Sequence, residues 1–523
     1  MADNLAEKKA GSRRFRKWHA MAAAGLLLCT GAVTGIVLTA GTSAARPYDF
    51  NGDDKPDLTV GLPGNTVTGA ARAGSLIVAN GTATGPASTS VRIDQETTGV
   101  PGAAEADDSF GQAFASADFD KDGYADLAVS SPLEAIGTTE GAGMLTVHYG
   151  SSNGIHGSRT DGFDEDTTGI PGTVTKDETF GYSLAAGDLN ADGYPDLAVG
   201  QPLDSADSKP NAGSVRVLFG SSSGLTAGSA LWIDQNTANV PGVPEAEDRF
   251  GEQLAIGDID GDGTGDLVVA TLGEQISGSS DRGSLHILYG PIGSAPAGSG
   301  YIDSGNVTGI GAFAGSALAV GRFDDDPYLD VAVGVSDETV GDAGSAGRLA
   351  VFRSSADGLS AERVELFDQE TPGVSGAPEA EDFFAASLAA GDFDGDGVDD
   401  LVVGMRSEAI GTVKGAGAAM VLFGNATGGI STTGALWIDQ DTTGVPGTVG
   451  TADHFGWTVG ALDTDGNGRV EPLIGAPGNA AGTVTVTKVS PGTLESATAL
   501  AEADLGWAAG ADGDAFGISL PGR

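Results

Sequence analysis

The sequence predicts an all-β fold, a seven-bladed β-propeller, and three observations carry that expectation. An acidic nine-residue motif recurs along the chain, its first positions separated by 69, 70, 70, 64, 70 and 71 residues. Between copies, about four short apolar runs of strand length alternate with glycine- and serine-rich turns. No helical periodicity competes in the stretch that holds the repeats. Four short strands per repeat of this length describe a propeller blade rather than a helical repeat.

The first element is a targeting segment. Lys8, Lys9, Arg13, Arg14, Arg16 and Lys17 precede an apolar run from Ala20 to Ala40, and Ser43 and Ala45 fit the small-x-small rule for signal peptidase. The expected division is therefore a signal peptide at 1–45 and a propeller at 46–523, with export of the mature chain and an N-terminal membrane anchor if cleavage fails. SRRFRK leaves both the general and the twin-arginine export routes open. Cys29, the only cysteine, lies in the segment to be removed, so no disulfide holds the mature loops. No later apolar stretch is long enough to span a membrane.

The acidic motif comes next in each unit. DFNGDDKPD offers Asp49, Asn51, Asp53 and Asp57, and DFDKDGYAD offers Asp118, Asp120, Asp122 and Asp126. DLNADGYPD offers Asp188, Asn190, Asp192 and Asp196, and DIDGDGTGD offers Asp258, Asp260, Asp262 and Asp266. DFDGDGVDD offers Asp392, Asp394, Asp396 and Asp400. A weaker copy, DTDGNGRVE, offers Asp463, Asp465, Asn467 and Glu471. In the copy RFDDDPYLD, Arg322 stands where the first aspartate belongs, and that loop is expected to be salt-bridged and metal-free.

Carboxylates at positions 1, 3, 5 and 9 of one loop repel one another unless a cation offsets them. Hard oxygen donors without His or Cys select Ca²⁺ or Mg²⁺ over softer metals. An EF-hand would place a glutamate at position 12 between helices; position 12 of the 188 copy is Val199, and the flanks read as strands. About six structural calcium sites are expected. One copy alone would read as a solvated turn; six in phase do not.

The rest of the unit is best seen in the third. FGYSLAAG (180–187) enters the acidic loop and LAVG leaves it, GSVRVLFG (213–220) forms a third run, and SALWIDQ (229–235) a fourth after a turn. A linker of the TTGVPG type, followed by an acidic patch, leads to the next FG segment. The chain finishes on FGISLPGR, and the first unit lacks an FG segment, so Phe516–Gly522 is expected to complete the first blade and close the ring.

The FG segments, the D-x-[DN]-x-D-G-x-x-D loops and the tripeptide Gly475-Ala476-Pro477 resemble FG-GAP (VCBS-like) repeats. Such repeats build the propeller of integrin α subunits and of many secreted bacterial proteins. The resemblance covers essentially all of 46–523. It implies calcium between the first and second strands of a blade and ligand recognition on the opposite face.

Net charge of −46 argues against nucleic acid or an anionic membrane as partner. The function expected is an exported, calcium-binding, integrin-α-like adhesion or binding module. It would act as a monomer on an extracellular protein or carbohydrate. The alternative is a secreted esterase-like hydrolase, because GSSNG (150–154) and GSSSG (220–224) fit G-x-S-x-G around Ser152 and Ser222. Both lie at the same phase of their blades, where glycine and serine are good turn formers. The histidines past the signal segment are His148, His156, His286 and His454, and only His156 is near such a turn in sequence.

Overall fold

A computed structural model of the chain describes residues 45–155, 159–275, 283–311, 313, 315–479, 482–507 and 515–522. The expected signal segment up to residue 44 lies outside them. Seven antiparallel sheets follow one another along the chain, each strand paired with its sequence neighbour; six have four strands and the first has three. This is the seven-bladed propeller. Among the described residues the only helical elements are two short 3₁₀ turns, at Ala361–Arg363 and Glu502–Leu505. No helix is long and apolar enough to cross a membrane.

The third blade shows how sequence becomes strand. Its strands are Ser183–Gly187, Asp196–Gln201, Ser214–Phe219 and Thr226–Ile233. The first two are buried throughout, and the third all but at Phe219, because neighbouring sheets cover both of their faces. They accordingly read as continuous apolar runs rather than as alternating ones. The outer strand is half-exposed and mixed in character. It starts at Thr226, ahead of the run apparent in the sequence, because a register shift between Val217 and Phe219 lets the turn residues join the ladder.

Adjacent blades are locked by a backbone contact that requires glycine. The residue opening the third strand bridges in parallel to the FG phenylalanine of the next blade: Gly74 to Phe110, Gly213 to Phe250, Gly347 to Phe384, Gly417 to Phe455. At Gly213 φ is +84°, and a Cβ there would lie 2.2 Å from the Phe250 carbonyl oxygen, so no side chain fits.

The same bridge joins Gly482 to Phe516, and Ser519 then bridges Gly61 of the first blade, whose amide donates to the Ser519 carbonyl at 3.0 Å. Phe516 and Leu520 share one apolar cluster with Tyr48, Val60, Leu473 and Val484, drawn from the first and last sheets. Burying side chains of this size stabilises by about 1.5–3 kcal/mol each.

Truncation before Phe516 should lower the unfolding free energy by several kcal/mol, on the order of a Phe→Ala core cavity or more. Chemical denaturation of the shortened and full-length chains checks this; equal midpoints would mean that the segment is a dispensable end.

Candidate metal centres

Six of the acidic loops connect the first and second strands of a blade and the 49–57 loop leads into the first described strand, Leu58–Leu62, so all of them lie on one face, together with the hairpins joining third and fourth strands. Backbone amides hold the carboxylates in place. In the 188 loop, Asp188 accepts from the Gly193 amide at 2.8 Å, Asn190 from Asp192 at 2.8 Å, and Asp192 from Tyr194 at 2.9 Å.

The carboxylate at position 9 clamps two chain segments at once. Asp196 accepts from the Leu189 amide within the loop and from the Gly220 amide of the neighbouring hairpin, both at 2.9 Å. Asp57, Asp126, Asp266 and Asp400 repeat the pair of bonds, with Gly81, Gly150, Gly290 and Gly424 on the hairpin side.

The expected four-residue cage therefore forms unevenly. Oxygens of Asp118, Asp120 and Asp122 come within 4.8 Å of one another, as do those of Asp258, Asp260 and Asp262. Position 9 joins the group in Asp392, Asp394 and Asp400 and in Asp463, Asp465 and Glu471. Asp396 stays outside its loop's trio, and the 49–57 loop (Asp49, Asn51, Asp53, Asp57) and the 188–196 loop, each with an asparagine at position 3, are not among these groups.

Burial makes ionisation costly here. It is the main cause that pushes Asp57, Asp196 and Asp266 up to about 7 and Asp126 and Asp400 up to about 8, with the loop's other carboxylates adding to it. Asp188 Oδ1, Asp258 Oδ1 and Asn51 Oδ1 are buried and accept no hydrogen bond. Buried acceptors left this way cost about 1–3 kcal/mol each, a cost that a bound cation would remove. The donor set, all oxygen, fits Ca²⁺.

The fifth loop departs from expectation in one respect. Arg322 reaches across to the sixth blade's loop, where its guanidinium donates to the Gly397 carbonyl at 2.9 Å and its amide to Asp399 at 2.9 Å. Its charge thus serves the neighbouring loop's backbone. Asp330 keeps the hairpin bond, to Ser354 at 2.8 Å, while its Oδ2 accepts nothing.

Ser152 and Ser222 are exposed at the tips of third-to-fourth-strand hairpins. The turn is held by the preceding serines, with Ser151 Oγ donating to Gly154 O and Ser221 Oγ to Gly224 O. His148 bonds Thr146, His286 bonds Ser284 and His454 bonds the Arg406 carbonyl, so these three are engaged elsewhere. His156 lies outside the described residues.

The opposite face carries a feature that the sequence reading missed. At three blade junctions a buried glutamine donates to a buried glutamate: Gln95 to Glu134 at 2.5 Å, Gln235 to Glu274 at 2.6 Å and Gln369 to Glu408 at 2.8 Å. A linker aspartate, Asp108, Asp248 or Asp382, lies beside each pair and raises its glutamate's pKa further. At a fourth junction Glu165 replaces the glutamine and Asp204 the glutamate, and a fully buried Arg216 reaches both, at 2.5 and 3.3 Å. Every one of these pairs is separated by 39 residues, the periodic signal that could have revealed them.

Four segments, 110–148, 180–218, 250–288 and 384–422, match the FG-GAP repeat. Four of the seven blades therefore carry FG-GAP repeats. Each matched segment runs from the FG phenylalanine through the acidic loop into the third strand. Phosphatidylinositol-glycan-specific phospholipase D of Rattus norvegicus is 32% identical over 158 residues, 30% of this chain and 18% of that protein. Integrin alpha-PS5 of Drosophila melanogaster is 33% identical over 168 residues, 32% of this chain and 15% of that protein. Integrin alpha-7 of Rattus norvegicus is 31% identical over 180 residues, 34% of this chain and 14% of that protein. The match thus spans less than a fifth of each of these relatives.

The junction carboxyls give the protein a pH dependence. Burial raises Asp108 and Glu134, and takes Asp248 to about 6, Glu274 to about 7 and Glu408 to about 8. The folded chain then holds protons that the unfolded chain releases, so this stability is present below the ordinary carboxylate range and is lost as pH rises through about 6 to 8. The loop carboxylates act in the same direction. Melting midpoints in chelator should fall across that window. Combining Glu134→Gln, Glu274→Gln and Glu408→Gln should flatten the slope, and an unchanged slope would remove these pairs from the account.

Proposed function

We propose that this chain is an exported calcium-binding propeller of the integrin-α type, in which calcium is structural and an extracellular protein or carbohydrate binds on the face opposite the acidic loops. The observation that carries the calcium reading is the set of buried, unbonded oxygens, Asp188 Oδ1, Asp258 Oδ1 and Asn51 Oδ1, each in a loop crowded with other acidic groups. The integrin α relatives and the FG-GAP segments support the binding-module reading.

A bound ion would be held by side chains at positions 1, 3, 5 and 9, with position 9 also fixing the loop to its hairpin. It would supply positive charge that lets the clustered carboxylates ionise. At free calcium about ten times Kd, each site would add about 1.4 kcal/mol to the folded state. Chelation should lower the melting midpoint well below that in millimolar calcium, and magnesium should restore it poorly because of its octahedral demand. Identical midpoints with and without chelator would remove calcium from the account.

A second reading rests on the phospholipase D relatives and the two G-x-S-x-G turns. A serine hydrolase would lose turnover of simple esters in Ser152→Ala or Ser222→Ala while keeping its fold. The binding-module reading expects no ester turnover from the parent protein, and a serine-dependent activity would overturn it.

A further inference from the structure

The acidic loops differ in what surrounds them. Among the described residues, the carboxylates at positions 1, 3, 5 and 9 of the 188–196, 258–266 and 392–400 loops form no ion pair with lysine or arginine. The 463–471 loop is the opposite case. Lys488 Nζ pairs with Asp465 Oδ2 and lies 3.6 Å from Glu471 Oε1, and Arg46 reaches Asp463 Oδ2 at 3.3 Å. Each of the three carboxylates in this loop therefore faces a basic group of the chain itself.

The place Lys488 occupies has a history in the repeat. Counted from the glycine that opens the third strand, the same position holds Asn80, Tyr149, Phe219, Tyr289, Arg353, Phe423 and Lys488. It is basic in two blades only. Those are the two blades whose loops lack an aspartate at position 1 or 9, with Arg322 at position 1 in one and Glu471 at position 9 in the other. In the regular blades, the oxygen of the position 9 aspartate that faces the hairpin accepts a glycine amide. Glu471 Oε1 accepts no hydrogen bond and faces the ammonium instead. Asp463 and Asp465 have no buried, unbonded oxygen comparable to Asp188 Oδ1.

Resting on the calcium reading above, we propose that the seventh loop, 463–471, carries its own cation: the Lys488 ammonium, with Arg46, stands where the other intact loops take calcium. A lysine ammonium is a compact point charge on a flexible stem, able to settle among carboxylates that leave no room for a second cation. The seam between the last and first blades is thereby held whether or not calcium is present.

Calcium bound per chain, counted by equilibrium dialysis on the mature protein, tests this. Lys488→Met should gain one calcium over the parent, and Lys488→Arg should gain none. In the reverse direction, Asn80→Lys places an ammonium beside the 49–57 loop and should lose one. A Lys488→Met protein that binds the same number as a calcium-binding parent would overturn the proposal. A parent that binds no calcium at all would instead sink the calcium reading itself. If Lys488→Met fails to fold, the Asn80→Lys count still decides, together with acylation of Lys488 by acetic anhydride. That reaction should run at the same rate with and without calcium. Acceleration by calcium would mean that the ion displaces the amine, and the proposal would fall.

Discussion

Everything in this protein depends on gathering carboxylates into a tight, partly buried loop and keeping them there. Each loop's last aspartate bonds its own loop and the neighbouring hairpin, so the charge cluster and the β-meander are one construction. Loosen Asp196, and the amides of both Leu189 and Gly220 lose their acceptor. Burial and mutual repulsion both oppose ionisation of these groups, so a proton, or positive charge from an ion or from the chain, offsets the cost of gathering them. The chain uses several sources. Lys488 and Arg46 serve one loop, Arg159 pairs with Asp120 in another, and on the opposite face Arg216 joins Glu165 and Asp204.

The two faces handle buried acidity differently. On the loop face, carboxylates are arranged around a common point with oxygens left over. On the other face, glutamine carboxamides meet glutamates one at a time, and burial pushes the glutamate carboxyls up, Glu408 to about 8. Glycine makes both possible, because close approaches such as Gly213 against Phe250 leave no space for a side chain and draw neighbouring sheets into register. Apolar clusters span consecutive sheets, so each blade is also stabilised by its neighbours.

Much of this was legible in the chain. The acidic loops were legible because their members are sequence neighbours, though only some of these converge in the folded chain, and the inner strands were visible as apolar runs because both their faces are covered. The outer strands were placed less well: Thr226 joins a ladder through a register shift that no local pattern announces. Arg322 was expected to neutralise its own loop, but its side chain is long enough to reach Gly397 in the next blade. The Gln95–Glu134 type of pair escaped notice because its members belong to different blades and meet only when the ring is built. Lys488 was likewise invisible as a partner of Asp465, since strand pairing, not sequence proximity, brings them together.

A loop built around a cation holds that ion at a fixed place among its oxygens. Anomalous scattering from crystals grown in calcium locates the ion itself rather than inferring it from stability. The expected result is anomalous peaks inside the 188–196, 258–266 and 392–400 loops, in contact with the side-chain oxygens at positions 1, 3 and 5 and, in the 392–400 loop, with Asp400. Well-ordered loops without such peaks, in crystals containing millimolar calcium, would contradict the calcium reading.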